Sequence, residues 1–353
     1  MPPVKANFNL KEIFGNKSIE EIDNIINSKK SHIRKIKIPK RDGTKRQIIA
    51  PSGPLKYLQK AIYWKILMRY RPSAASHGFV RGRSIKTNAN PHVGCSSIGK
   101  IDIKSFFDTI SENHLKNCLF GNKNICRMCR HYERMRNGLC NPSLYHNKTQ
   151  NFKYKCEEIK AVFIPDYCEQ TGYQSLFKRV IELCTLEGFT AQGFPTSPML
   201  ANIVLRGFDK TMIEFCKEND IVYTRYADDL AFSSKTLNRQ ELKDLIQKKV
   251  YRLLWAYGFK PNYKKTTWRT KGGCMKVCGV VVNVKTSVKR RDVRIFRAKV
   301  HHATVKDKRH TTKAQLRSLK GWASYLMAID PDKGKKYMTQ LLEFEKSRFR
   351  KAA

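Results

Sequence analysis

The segment Tyr223-Thr224-Arg225-Tyr226-Ala227-Asp228-Asp229-Leu230-Ala231-Phe232 constrains this chain more than any other part of it. Two runs of strand-forming residues flank a pair of adjacent aspartates. The pattern predicts a strand–turn–strand unit over 222–234 with both carboxylates at its tip. Adjacent carboxylates repel, so the arrangement is costly unless a cation sits there. A solvated turn is the alternative, because Asp is a common turn residue.

A third acid bears on that choice. Ile101-Asp102-Ile103 sets an aspartate in a short apolar strand, 97–103, followed by Lys104-Ser105-Phe106-Phe107-Asp108. A carboxylate between two isoleucines is partly withdrawn from water and needs a partner. Three aspartates are what two-metal phosphoryl transfer requires: one ion activates the attacking hydroxyl and the other stabilises the departing pyrophosphate. Mg²⁺ prefers oxygen ligands and keeps substrate phosphates in its shell. Asp102, Asp228 and Asp229 are therefore the candidate catalytic residues and magnesium ligands.

Charge narrows the partner. The 353 residues carry 70 Lys+Arg against 29 Asp+Glu, a net charge of +41. Such a chain repels itself unless a polyanion is present, and each basic contact to nucleic acid can displace a condensed counterion. The basic residues run from Lys5 to Lys351 instead of gathering on one amphipathic helix, which argues against a membrane surface. A non-catalytic RNA-binding scaffold is the other reading; a pure binder has no use for clustered anions amid phosphates. No apolar run approaches the ~20 residues that span a bilayer. Met1 to Leu10 lacks the apolar core of a signal peptide. The expected location is the cytoplasm, with the 11 cysteines reduced.

Along the chain, isoleucines at near-helical spacing predict a helix over 8–30. Ile33 to Pro39 alternates apolar and basic residues and reads as a half-buried strand. It joins a return strand, Lys45 to Ile49, through the turn Arg41-Asp42-Gly43-Thr44. Further helices are expected at 55–69, 174–187, 197–215 and 241–257, a Val-rich strand at 278–284, and a basic helical tail over 290–353. Residues 118–172 differ in composition and read as an insertion. Cys126-Arg127-Met128-Cys129 has the spacing of half a zinc site, and Cys140, Cys156 and Cys168 follow at irregular distances. If zinc binds, the favoured ligands are Cys126, Cys129, Cys140 and Cys156; a cluster of reduced thiols is the alternative.

At these motifs the chain resembles the palm of reverse transcriptases. Tyr226-Ala227-Asp228-Asp229 matches that family's signature and the Asp102 strand its first carboxylate motif. Between them, Gln192-Gly193-Phe194-Pro195-Thr196-Ser197-Pro198-Met199-Leu200-Ala201-Asn202 resembles the segment that holds template–primer and incoming nucleotide. Within the superfamily the likeness is to the bacterial retron reverse transcriptases. It runs over roughly Ile33 to Leu341 apart from the insertion. Asn88-Ala89-Asn90-Pro91-His92 resembles the retron element Asn-Ala-x-x-His, Asn262-Tyr263-Lys264-Lys265-Thr266 the lysine motif after the palm helix, and Gly321-Trp322-Ala323 a thumb element. One departure stands out: retrons usually carry Val-Thr-Gly where this chain has Val277-Cys278-Gly279.

The resemblance implies an α+β, right-hand polymerase fold. Fingers and N-terminal helices would occupy 1–92, a palm of antiparallel sheet plus helices, with a fingers segment and the Cys-rich insertion at about 118–172, would occupy 93–288, and a helical basic thumb 289–353. It implies RNA-directed DNA synthesis with two Mg²⁺ ions and deoxynucleoside triphosphates. The product would be a branched, RNA-linked single-stranded DNA (msDNA) copied from the chain's own structured non-coding RNA. A separate effector protein and a role in anti-phage defence are implied as well. A group II intron-like or other bacterial reverse transcriptase is the nearest alternative; roughly sixty residues after Val288 leave little room for the further region that class carries.

By the same analogy the Ile103 carbonyl adds a metal ligand, and Phe107 blocks a ribose 2′-hydroxyl; its alternative is a core aromatic. Gln192 contacts the incoming nucleotide, Lys265 neutralises or protonates pyrophosphate, and Arg46 clamps the triphosphate bidentately. For Lys265 a solvated lysine is the alternative. His92 is expected to form structural hydrogen bonds and shape an RNA-binding surface, without acid–base chemistry. Trp322 is expected in the core.

Overall fold

A computed structural model describes residues 10–39, 43–120 and 173–349. The Arg41-Asp42 part of the predicted turn and most of the 118–172 insertion, with Cys126, Cys129, Cys140, Cys156 and Cys168, lie outside the described residues. Compact packing divides the chain into two units, each assembled from three separated stretches.

The first unit comprises 1–74, 103–212 and 251–260. The expected 8–30 helix is two helices, Leu10–Phe14 and Ile19–Asn27. Gly15 takes φ +69° between them, and Ser18 opens the second with a capping box to Glu21. Strands β1 (Ile33–Pro39) and β2 (Lys45–Pro51) pair antiparallel from Ile33–Pro51 to Pro39–Lys45. The expectation of a half-buried β1 fails: every residue after Ile33 is exposed, because nothing among the described residues covers the isoleucines that alternate with its basic side chains. The Gly53–Lys65 helix buries Leu55, Leu58 and Ile62. Its extension to residue 69 is a separate short turn, Leu67–Arg69.

The Tyr173–Cys184 helix is anchored by polar contacts. Arg179 meets Asp23 bidentately at 2.6 and 2.7 Å, and the Gln59 amide donates to the Leu183 carbonyl at 2.8 Å. A small hairpin follows, β4 (Thr185–Leu186) with β5 (Phe189–Thr190). The expected 197–215 helix breaks at Leu205 into Ser197–Val204 and Arg206–Glu218.

The second unit comprises 75–102, 213–250 and 261–353. Its centre is a four-stranded antiparallel sheet in the order β6 (Val222–Tyr226), β7 (Asp229–Ser234), β3 (Ser97–Asp102), β8 (Thr267–Thr270). Gly99 lets the Trp268 ring lie flat on β3; a Cβ there would overlap the indole. Residues 75–77 join the outer edge through a bridge between Ser76 and Arg225. The expected Val-rich strand at 278–284 is instead a tight hairpin, β9 (Lys276–Val277) with β10 (Val280–Val281). The predicted basic tail forms helices Arg290–His301, Lys313–Ile329 and Pro331–Phe349.

These helices bury Phe296, Val300, Leu316, Ala323, Leu326, Leu341 and Phe344 in one core with the β9–β10 valines. Gly334 brings the last two helices together, because a Cβ at that position would collide with the Met327 backbone. Trp322 is only partly buried, its ring stacked on Phe296 at 5.3 Å. Among the described residues, no helix is long and apolar enough to cross a membrane.

Candidate active site

The three aspartates converge on the open end of the four-stranded sheet. Asp102 ends β3 and Asp229 begins β7, and the two are register partners. Such partners hold their Cβ atoms about 4.5–5.5 Å apart, so the two carboxylates leave the same face side by side. Asp228 occupies the two-residue turn between β6 and β7. Ala227 beside it takes φ +56°, a left-handed conformation unusual for a residue with a side chain.

Several neighbours hold that turn in place. The Arg225 side chain, wholly buried, donates from Nη1 to the Ala227 carbonyl at 3.1 Å. The Arg225 backbone donates to the Ala75 carbonyl and accepts from the His77 amide, each at 2.7 Å. Gly78 lies directly against the tip: a Cβ on it would come within 2.6 Å of the Ala227 nitrogen.

Each outer carboxylate is fixed by protein donors. The Asn262 backbone donates to the Asp102 carbonyl at 2.7 Å, and its side-chain amide to Asp102 Oδ2 at 2.9 Å. Lys265 Nζ reaches Asp102 Oδ1 at 3.2 Å. Cys278 Sγ lies 3.7 Å from Asp229 Oδ2. Burial first, and then the Asp229 charge, push the Cys278 thiol up to about 12, which keeps it an S–H donor.

Electrostatically the cluster is under-neutralised. Burial raises the Asp228 carboxyl above its ordinary range, and the charges of Asp102 and Asp229 add to that against Lys265. Burial also raises Asp229, where Lys100 opposes the effect and Asp102 reinforces it. Among the described residues no three His, Cys, Asp or Glu side chains close into a metal cage. The donor set still fits magnesium, which takes one or two carboxylates and completes its shell with water and substrate phosphates. A divalent cation would offset both the cost of burying these charges and the repulsion among them.

The remaining predicted residues lie in the first unit. Ile103 follows Asp102 directly and its side chain is buried. Phe107 is partly buried against Phe106, with ring centroids 5.5 Å apart; its carbonyl accepts from Thr190 Oγ1 at 2.6 Å. The Gln192 carbonyl accepts from the Ile49 amide at 2.7 Å, which ties the 192–196 loop to β2. Gly193 makes that junction possible, with φ +113° and Ile49 O only 2.5 Å from where a Cβ would stand. Arg46 is exposed on β2, and its charge offsets part of the upward shift that burial imposes on Asp108.

Sequence reasoning missed the bracing behind the carboxylates. His92 makes the structural hydrogen bonds expected of it, but it is wholly buried behind the hairpin instead of lining a binding surface. Its Nδ1 lies 2.6 Å from Ser233 Oγ and its Nε2 2.7 Å from Thr224 Oγ1, so one ring spans β6 and β7. Burial, with a smaller contribution from His77, lowers its pKa to about 3, so the ring is neutral. Asn88 of the same element is also fully buried and donates to Cys278 Sγ at 3.3 Å. Asn88, His92 and Asn262 were visible in the motifs, but their partners come from distant segments.

The family model for "Reverse transcriptase (RNA-dependent DNA polymerase)" matches residues 38–289. Among curated relatives, the retron Mx162 reverse transcriptase of Myxococcus xanthus is 31% identical, over 87% of this chain and 60% of its own length. The retron Mx65 reverse transcriptase of the same organism is 27% identical, over 85% and 62%. The retron Ec86 reverse transcriptase of Escherichia coli is 27% identical, over 85% and 77%. The chain thus spans about three fifths of the length of the two Myxococcus relatives. It belongs to the reverse transcriptase (RNA-dependent DNA polymerase) family, and within that family it is similar to the bacterial retron enzymes.

Proposed function

We propose that this chain is the RNA-directed DNA polymerase of a retron, copying part of its own structured RNA into a branched, RNA-linked single-stranded DNA. The observation that carries this reading is the register pairing of Asp102 with Asp229, with Asp228 in the adjoining turn. Asp102, Asp228, Asp229 and the Ile103 carbonyl would hold two Mg²⁺ ions. Bound there, the ions supply activation of the attacking hydroxyl and stabilisation of the departing pyrophosphate.

The chain's own groups set the geometry for that chemistry. Asn262 clamps Asp102 by backbone and side chain, fixing the direction of its carboxylate. Lys265 neutralises Asp102 in the resting protein and, three-fifths exposed, is free to turn toward pyrophosphate oxygens. Phe107 selects against a ribose 2′-hydroxyl, Gln192 holds the incoming deoxynucleotide, and Arg46 grips its triphosphate. The pinned 192–196 loop supports the second of these roles, since a rigid loop orients a ligand better than a mobile one.

In right-hand terms, 1–92 supplies N-terminal helices and fingers, 93–288 the palm, and 289–353 the thumb. The basic thumb helices follow the phosphates of a template–product duplex. Cys126, Cys129, Cys140 and Cys156 would be the ligands of a zinc ion, and zinc content of the purified protein tests that assignment. The cellular partners are the cognate RNA and a separate effector protein, acting in the cytoplasm in anti-phage defence.

Expressing the chain with the RNA encoded beside its gene tests the reading. Short DNA covalently joined to RNA is expected, and it disappears with Asp228→Asn. No such DNA from the unsubstituted chain, or its persistence in the variant, overturns the proposal.

A further inference from the structure

The tip of the β9–β10 hairpin is built at odds with its own backbone. Its two-residue loop, Cys278-Gly279, has positive φ at both positions, +46° and +84°. That is the signature of a type I′ turn, where the first position favours Asn, Asp or Gly. Gly279 suits its place. Cys278 does not, because an L residue with an ordinary side chain is strained in the left-handed region. Backbone strain persists where the surroundings demand it, and the side chain shows what demands it here.

Cys278 Sγ lies 3.7 Å from Asp229 Oδ2. The sulfur in turn accepts from the Asn88 amide at 3.3 Å. Asn88 is itself fully buried, and its backbone carbonyl accepts from Thr224 Oγ1 at 3.2 Å. A chain of donors therefore runs from Asn88 through the thiol to the second aspartate of the pair. Asp102 has Asn262 and Lys265 to orient it, whereas among the described residues Cys278 is the one side chain that donates to Asp229.

We propose that Cys278, held by Asn88 in a strained turn, is a positioning residue that orients the Asp229 carboxylate for divalent-cation binding. The inference rests on the reading of Asp102, Asp228 and Asp229 as a cation site. The strained conformation aims the thiol at Asp229, and the amide of Asn88 fixes the sulfur so that its hydrogen points to the carboxylate. Any short side chain with a hydrogen-bond donor fulfils the role, and side chains without one do not.

Three substitutions separate positioning from folding. Cys278→Ala removes the donor, Cys278→Ser keeps it, and Cys278→Gly removes it while relaxing the turn. Each purified full-length variant is titrated with Mn²⁺ without nucleotide, free ion being read by electron paramagnetic resonance, and melting temperature is recorded alongside. The expected result is a weakening of Mn²⁺ binding by about three- to tenfold in Cys278→Ala and Cys278→Gly, the range of one modest hydrogen bond. Cys278→Ser keeps affinity near that of the unsubstituted chain, and Cys278→Gly melts no lower than it. The Mg²⁺ concentration for half-maximal DNA synthesis moves in the same order.

Equal Mn²⁺ affinity in all four proteins overturns the inference and leaves the polymerase reading standing. So does a loss in Cys278→Ser as large as in Cys278→Ala. Absence of both Mn²⁺ binding and DNA synthesis in the unsubstituted chain overturns the polymerase reading together with this inference.

Discussion

His92 links the acid sensitivity of the fold to the hairpin that carries Asp228 and Asp229. The ring is fully buried between Ser233 and Thr224, and burial lowers its pKa to about 3 from the ordinary 6.5. A lowered folded value means that the unfolded chain binds the extra proton first. Stability from this group is therefore complete above about pH 6.5 and drains away as pH falls toward the folded value. Each pH unit in that window costs up to about 1.4 kcal/mol, so the protein loses about 2 kcal/mol between roughly pH 6.5 and 4.5 from His92 alone.

His92→Gln removes the titration while keeping a polar side chain of similar reach. Near neutral pH it destabilises by about 1–3 kcal/mol, because one buried hydroxyl loses its partner. Toward about pH 4.5 the gap to the unsubstituted protein narrows by about 2 kcal/mol, since only the histidine form is penalised there. His77, lowered to about 4 by burial and Arg83, adds acid sensitivity of the same sign to both proteins and cancels in the difference. Urea midpoints followed by tryptophan fluorescence at the two pH values give the comparison. A gap that stays constant or widens on acidification refutes the account of a buried neutral imidazole.

Gly78→Ala places a methyl group against the Ala227 nitrogen and shifts the carboxylate tip; DNA synthesis should fall about tenfold or more while the melting temperature drops only a few degrees. An unchanged rate in a primer-extension assay would contradict the close approach. Gly334→Ala forces the last two helices apart and should cost about 1–3 kcal/mol by chemical denaturation. Arg179→Ala should cost about 1 kcal/mol, because the bidentate pair is partly solvated at its Asp23 end. Arg179 holds the Asp23 carboxyl below its usual value, so its contribution is present above the ordinary aspartate range and is lost as pH falls through the lowered value. The Arg179→Ala protein should accordingly show less loss on acidification.

The convergence of the three aspartates was legible because it is written locally. Two strand-forming runs around Asp228-Asp229 admit one hairpin, and an acid in the apolar 97–103 stretch admits one neighbouring strand. The Asp-Gly hairpin of β1 and β2 was readable for the same reason. Helix boundaries were harder. The breaks at Gly15 and Leu205 depend on capping by Ser18 and on packing around buried Leu205, which apolar periodicity does not report. The β9–β10 hairpin was misread as a strand because Cys278 adopts a left-handed conformation that its residue type does not announce. Long-range partners were out of reach: nothing near Asn262 names Asp102, and nothing near His92 names Ser233 or Thr224.

The most direct test of the carboxylate site is primer extension on an RNA template with purified protein, deoxynucleoside triphosphates and Mg²⁺, comparing the unsubstituted chain with Asp102→Asn, Asp228→Asn and Asp229→Asn. Complementary DNA from the first and a loss of about a thousandfold or more in each variant is the predicted result. DNA made at an undiminished rate by any of the three, or none made by the unsubstituted protein, would contradict it.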